Sequence, residues 1–176
     1  MTRNITSLAV ALLVSAGACA PAQSAHVQAS PIVTHTFAGG CGGTVLTDAE
    51  PPLWSQGGWS QVSGTPWGVP WALGSGGQAV AFVFAGQLVA GSSPRVDGTN
   101  NKVLWVAKGS VTNFVVDGMP PGGTQPVITV NGGPSIVDVP SAGCWRFHLR
   151  WGADQAGSIV NLEVLPAGST PPPPPA

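Results

Sequence analysis

The sequence predicts an all-β domain: an immunoglobulin-like antiparallel β-sandwich, with a β-barrel as the runner-up architecture. Three observations carry this expectation. Glycine (25 residues) and proline (18) are used heavily, and both break helices and punctuate short strands. Residues 38–166 show no convincing amphipathic helical period. They show instead about nine short β-rich runs, bounded by Gly, Pro, Asn and Asp at intervals of about ten residues.

Residues 44–46 are the first candidate strand. Runs 79–84 and 87–90 flank Ala85-Gly86, which reads as a tight hairpin turn. Runs 102–107 and 111–116 follow. Run 127–130 leads through Asn131-Gly132-Gly133 into 135–139. The last pair, 144–151 and 158–165, has the clearest pattern. Trp145, Phe147, Leu149 and Trp151 alternate with Arg146, His148 and Arg150, a period of two with one wet face. On the partner run, Val160, Leu162 and Val164 take the core face, while Asn161 and Glu163 face out. A turn over 152–157 pairs Trp151 with Ser158. Arg146 then stands opposite Glu163, and His148 opposite Asn161. The absence of any repeat of fixed period argues against a propeller or solenoid.

The chain has 176 residues, enough for one domain with a real core. Only 7% of residues are charged, against roughly a quarter in average globular proteins, and the net charge is -1. No basic face is available for nucleic acid or for anionic lipid. The sequence has seven Trp and no Tyr.

Both ends lie outside the predicted domain. Residues 1–18 read as a signal peptide: Arg3 gives the positive start, residues 5–14 an apolar segment too short to span a membrane, and Ser15-Ala16-Gly17-Ala18 the small residues before a cut. Small residues running into Cys19 resemble the bacterial lipobox, in which the cysteine takes a diacylglyceryl group and becomes the mature amino terminus. Ala16 stands where that motif usually has Leu. The alternative is an ordinary secretory signal, cut after Ala18 or near Ala25. Residues 19–37 read as a flexible tether, which places His35 outside the fold. Residues 167–176 are a Pro-rich tail. Pro171 and the four prolines after it favour an extended polyproline II rod that packs no core. Such a rod is either a ligand for a proline-binding groove or inert, and inert is the plainer reading.

Lipidation or a later cut removes Cys19 from the count and leaves Cys41 and Cys144. Two cysteines in an exported domain predict a disulfide. Metal binding has little support, because no Cys-x-x-Cys pair exists and the three His are scattered.

Two candidate binding features stand out. Trp54, Trp59, Trp67 and Trp71 lie among Gly, Pro, Ser and Gln in a long loop or irregular meander. Indole rings suit stacking on sugars, lipids or partner surfaces, and equally suit capping the open ends of a sandwich. The Arg146–His148–Arg150 stripe offers planar donors for an anion or carboxylate. A solvated face balanced by Glu163 and Asp154 explains the stripe as well. Asp97-Gly98-Thr99-Asn100-Asn101 lacks the acidic spacing of a calcium loop and reads as a polar turn. No catalytic motif for an acyl, metal or phosphoryl reaction is present, and no cofactor is implied. Asp48 and Glu50 are close enough in sequence to form a carboxylate pair, which is a commonplace arrangement.

Two blocks, Asn101-Lys102-Val103-Leu104-Trp105 and Gly133-Pro134-Ser135-Ile136-Val137-Asp138-Val139-Pro140, precede Gly143-Cys144-Trp145-Arg146 and Leu149-Arg150-Trp151-Gly152. On these, residues 41–165 resemble an uncharacterised family of secreted or lipid-anchored bacterial proteins. The resemblance implies an exported domain and carries no activity. His148 stands where a small polar residue is expected. In the physical reading, Val103 and Trp105 share one strand face and Leu104 takes the other. The second block is a strand closed by Pro at both ends, and Asp138 is met by Lys102 or an Arg across the sheet.

The sequence therefore points to a non-enzymatic envelope domain attached to the membrane by a lipid anchor and binding a surface glycan or an envelope protein. A structural or regulatory lipoprotein, and a hydrolase with an unrecognised site, are the alternatives.

Overall fold

The computed structural model describes residues 34–57, 68–109, 111–153 and 156–172. Eleven strands among them form two sheets, so the all-β expectation holds. The first sheet runs in the order β1 (Thr36–Phe37), β2 (Leu46–Thr47), β3 (Trp71–Leu73), β4 (Ala79–Val83), β6 (Lys102–Ala107), β9 (Gly133–Ile136). The second runs β5 (Leu88–Val89), β11 (Ala156–Leu165), β10 (Gly143–Trp151), β7 (Val115–Met119), β8 (Ile128–Asn131). Neighbours are antiparallel except β5 and β11, which are parallel.

The main core lies between the sheets. Ala79, Ala81, Val83, Val103 and Trp105 of the first sheet meet Trp145, Phe147, Leu149, Val160 and Leu162 of the second. The rings of Trp105 and Phe147 span the gap with centroids 5.3 Å apart. Alternation along β10 is as the sequence predicts, with Trp145, Phe147, Leu149 and Trp151 all buried. Val103 and Trp105 face the core together, and Leu104 packs on the opposite face.

A second, smaller cluster covers the outer face of the first sheet. Trp71, Val80 and Phe82 pack there with Ala49, Trp54, Val69, Leu104 and Val106. This explains why every residue of β4 is buried: a strand covered on both faces carries an unbroken apolar run rather than alternation.

Several expectations are corrected. The turn read as a hairpin at Ala85-Gly86 is a crossover between sheets, and the Asn131-Gly132-Gly133 turn is a second crossover. At Ala85-Gly86 the chain leaves β4 in the first sheet and enters β5, which pairs with β11 in the second. Gly86 takes φ +69°, open to glycine at little cost, so the chain can swing away instead of folding back. At Asn131-Gly132-Gly133 it returns from β8 to β9, which completes the edge of β6. The final hairpin keeps its faces but slips by two residues: Arg146 stands opposite Asn161, His148 opposite Ile159, and Trp151 opposite Ala156. The strands continue to a tighter turn than a loop over 152–157 allows, and an even slip preserves which side chains face the core. The sheet also begins earlier than residue 38, since Thr36 and Phe37 pair with Thr47 and Leu46. His35 is likewise inside the fold. Its amide donates to Asp48 Oδ1 at 2.7 Å, and its Nδ1 lies 2.7 Å from Asp48 Oδ2.

Beyond β5, loop segments cover the edge of β11. The amide of Glu163 donates to Gly39 O (2.8 Å), that of Asn161 to Thr44 Oγ1 (2.9 Å) and that of Ile159 to Ser75 Oγ (2.8 Å). This strap satisfies donors that would otherwise template pairing with another chain. The Cys41–Cys144 disulfide ties it to β10, with Cα atoms 5.9 Å apart.

The blocks Asn101–Trp105 and Gly133–Pro140 meet in space. Lys102 pairs with Ile136, and the Val137 amide donates to Asn101 O at 2.8 Å. Asp138 is not held by Lys102 or an Arg. It accepts from the Ser93 amide (2.9 Å), Ser93 Oγ (2.7 Å) and Asn101 Nδ2 (3.3 Å). Neutral donors leave no cation to desolvate.

Candidate functional site

A groove of about 560 Å³ opens beside the β4–β5 crossover. Phe37 of β1, Val69 and Pro70 before β3, and Phe84 to Gln87 of the crossover line it. Phe84 is the apolar residue that ends the β4 run. With that strand already buried on both faces, its ring is left 40% exposed. The Lys102 ammonium sits 5.0 Å from the centre of that ring, close enough for a cation–π contact.

Arg95 and Asp97 form the polar wall. The Arg95 guanidinium donates to Gln87 O (2.7 Å), Ala85 O (3.4 Å), Asp97 Oδ1 (3.3 Å) and Asp97 Oδ2 (2.7 Å), and to Thr99 Oγ1. Its side chain is only 5% exposed. All its donors serve to pin the crossover backbone to the 95–99 turn, which makes the wall rigid. The polar turn read from the sequence is therefore a clamp. The Arg95 hydrogen bonds, with those from the Thr99 amide and hydroxyl, hold the Asp97 carboxyl down at about 2. Its depressed value means the clamp is intact above the ordinary carboxylate range near 4 and weakens only as pH falls toward 2. A carbon-detected NMR titration is expected to find the Asp97 carboxyl midpoint near 2, with the Ala85 and Gln87 amides unmoved between pH 5 and 3. A midpoint near 4 would mean that the clamp does not form in solution.

The remaining predicted site residues fall elsewhere. Trp71 is 7% exposed and its Nε1 donates to Ala49 O at 2.7 Å, so its ring belongs to the outer-face cluster. Trp54 is half-buried in the same cluster. Neither caps an open end of the sandwich. Both cover the apolar outer face of the first sheet. Trp59, Trp67 and Cys19 lie outside the described residues.

Arg146, His148 and Arg150 share the outer face of β10, as their alternation requires. Glu163 does not balance them, because the slipped register carries it to Cys144, and it instead accepts from Gln87 Nε2 at 3.3 Å. Asp154 lies outside the described residues. Asp117 of β7 meets Arg150, with Nε and Nη2 at 2.9 and 2.5 Å from Oδ2. Burial pushes the Asp117 carboxyl up, but hydrogen bonds from Thr129 and Arg150 outweigh it and leave the group below its ordinary value. Arg146 Nη2 lies 3.2 Å from Met119 Sδ and 3.3 Å from Gly123 O. Two of the three thus meet side chains of the neighbouring strand β7, Arg150 through Asp117 and Arg146 through Met119.

Asp48 and Glu50 do not form a carboxylate pair. Asp48 faces His35, while Glu50 accepts from Gln56 Nε2 at 3.4 Å. Burial raises the Asp48 carboxyl, and the His35 ring and amide more than offset this, so it also lies below its ordinary value.

Sequence reading missed Phe37, Val69 and Phe84. The available signal was the run 79–84, which is too uniformly apolar for a strand with one wet face. Compared with known proteins, the chain matches no family model, no curated protein and no solved structure.

Proposed function

We propose that this chain is an exported binding domain of the bacterial envelope, held on the extracytoplasmic side of a membrane by a lipid on Cys19, with the Phe37–Phe84 groove as its binding surface. The observation that carries the reading is the Cys41–Cys144 bridge, which joins residues 103 apart in sequence. Such bridges form and persist in oxidising compartments. The apolar segment 5–14 and the small residues before Cys19 supply the route there.

Binding is favoured over catalysis by the chemistry of the groove. Its lining is mainly apolar, and its one carboxylate, Asp97, is clamped by Arg95 with its proton affinity depressed. A general acid or base works best with a pKa near the operating pH, far from about 2. The packing of Trp54 and Trp71 moves the expected contact surface from stacked indoles to the two phenylalanines.

Intact mass spectrometry of the chain purified from its native membrane, before and after reduction, tests the reading. The expected result is an amino terminus at Cys19 carrying a diacylglyceryl adduct, two cysteines alkylated only after reduction, and a shift of Cys19→Ser into the soluble fraction. An unlipidated mass starting beyond Cys19 would replace the anchor with free secretion. A cytosolic, reduced chain would overturn the reading.

A further inference from the structure

One wall of the groove comes from the segment that follows the last strand. Pro171 and Pro172, the first residues of the proline run, line it together with Phe37, Val69 and Phe84. The chain is led there by its own fold. β11 ends beside β5, where Leu165 pairs with Val89, two residues beyond Gln87. A turn follows, closed by the Ser169 amide donating to Pro166 O at 3.1 Å, with Gly168 at φ +80°. This turn brings the next residues back to the crossover. Three further prolines and Ala176 lie beyond Pro172, outside the described residues.

The chemistry of the two surfaces matches. A proline run has no backbone N–H to satisfy, and it keeps a polyproline II shape without help from a partner, so little entropy is lost on docking. Aromatic-lined grooves are the usual receptors for such rods, because flat rings pack against pyrrolidine faces. Here Phe37 and Phe84 supply the rings, Val69 and Pro70 the apolar floor, and the Arg95 clamp keeps the crossover from yielding.

We propose that the groove is a polyproline site whose resident occupant is the chain's own tail, from Pro171 onward, bound in cis. This rests on the reading of the groove as the binding surface, and it names the ligand class. It also makes the site self-regulated. An external proline-rich peptide gains the groove only by displacing the tail, which a short linker holds at millimolar effective concentration.

The test compares the mature chain with a variant in which residues 171–175 are replaced by Gly and Ser at equal length. The tail lies outside the core, so this change leaves the fold intact. The amides of Ala38, Val69, Phe84, Gly86 and Gln87 are followed by NMR, and the probe is a synthetic peptide, Ser-Thr-Pro-Pro-Pro-Pro-Pro-Ala. The expected result is that the tail variant moves these amides and the peptide restores them saturably. The natural chain should bind the peptide at least tenfold more weakly. Phe84→Ala, at a half-exposed position, should weaken peptide binding to the tail variant about tenfold without lowering its melting temperature by more than a few degrees. Unmoved amides in the tail variant would overturn the proposal. So would a dimer of the natural chain that the peptide converts to monomer, because the tail would then be exchanged between copies. Cell fractionation of the same variants separates the two readings. A tail that fails to dock in a correctly lipidated chain sinks this inference alone, whereas a cytosolic chain sinks the envelope reading alone.

Discussion

Replacing Cys41 and Cys144 together by serine is expected to lower stability by about 4–5 kcal/mol and the melting temperature by roughly 10–20 °C. The magnitude follows from loop length. The bridge joins residues 103 apart, and in the chain-entropy model a cross-link closing about 100 residues removes nearly the largest denatured-state entropy available to a domain of this size. The folded state loses something more. The 39–44 strap contributes no long strand of its own, and it is held to β11 by four hydrogen bonds, those of Gly39 O, Cys41 N, Gly42 O and Thr44 Oγ1. Without the covalent tie it should fray and expose the amides of Asn161 and Glu163. Urea unfolding of the oxidised chain, the reduced chain and the double serine variant measures the effect. Hydrogen exchange at Asn161 and Glu163 separates the two contributions. If the variant melts within a few degrees of the oxidised chain, the bridge is not the staple described. If stability falls while those amides stay protected, the effect resides in the denatured state alone.

The bridge was legible because two independent lines converged, export chemistry and the count of cysteines left after Cys19. The β10 faces were legible for an equally local reason: a period of two fixes which side chains share a face, whatever the partner does. Where the answer depended on a distant partner, local pattern ran out. Ala85-Gly86 and Asn131-Gly132-Gly133 have the chemistry of tight turns, and the chain does turn there. Whether it returns to the same sheet depends on which edges stand open. β11 needed β5 on one side and β6 needed β9, and neither need is visible within a few residues of the glycines. The two-residue slip of the last hairpin has the same origin, since parity is encoded in every side chain but loop length only in the turn. Of the candidate site residues, the Arg146–His148–Arg150 stripe was read correctly as a face. The partner of Arg150, Asp117, sits on β7, 33 residues back along the chain, where no spacing rule points to it. Trp54 and Trp71 were ambiguous because a loop's composition does not say which surface lies beneath it.

Asn101→Ala should be the most damaging single substitution outside the hydrophobic core, at about 3–4 kcal/mol. Asn101 is fully buried, and its amide works in both directions. Its Oδ1 accepts from the Val89 amide at 3.0 Å, and its Nδ2 donates to Val89 O at 2.8 Å and to Asp138 Oδ1 at 3.3 Å. One side chain thus mimics a neighbouring strand for β5, which is only two residues long and joins the second sheet through two register pairs. Truncation leaves a buried donor, a buried acceptor and a carboxylate each short of a partner, and each is costly away from water. Asn101→Asp distinguishes this account from simple loss of volume. The shape survives and Val89 N–H keeps its acceptor, but a second carboxyl now faces Asp138. Two carboxylates at that distance resist ionising together, so the introduced group should have its pKa raised in the folded state above the unfolded value near 4. A raised acid favours folding as it protonates. The penalty at pH 7 should therefore shrink as pH falls through the raised folded value toward the unfolded one, whereas the alanine variant should show no such recovery. Parallel urea titrations at pH 7 and pH 4.5 read the difference. Equal losses for both variants at both pH values would mean that Asn101 fills space rather than bonding β5 to Asp138.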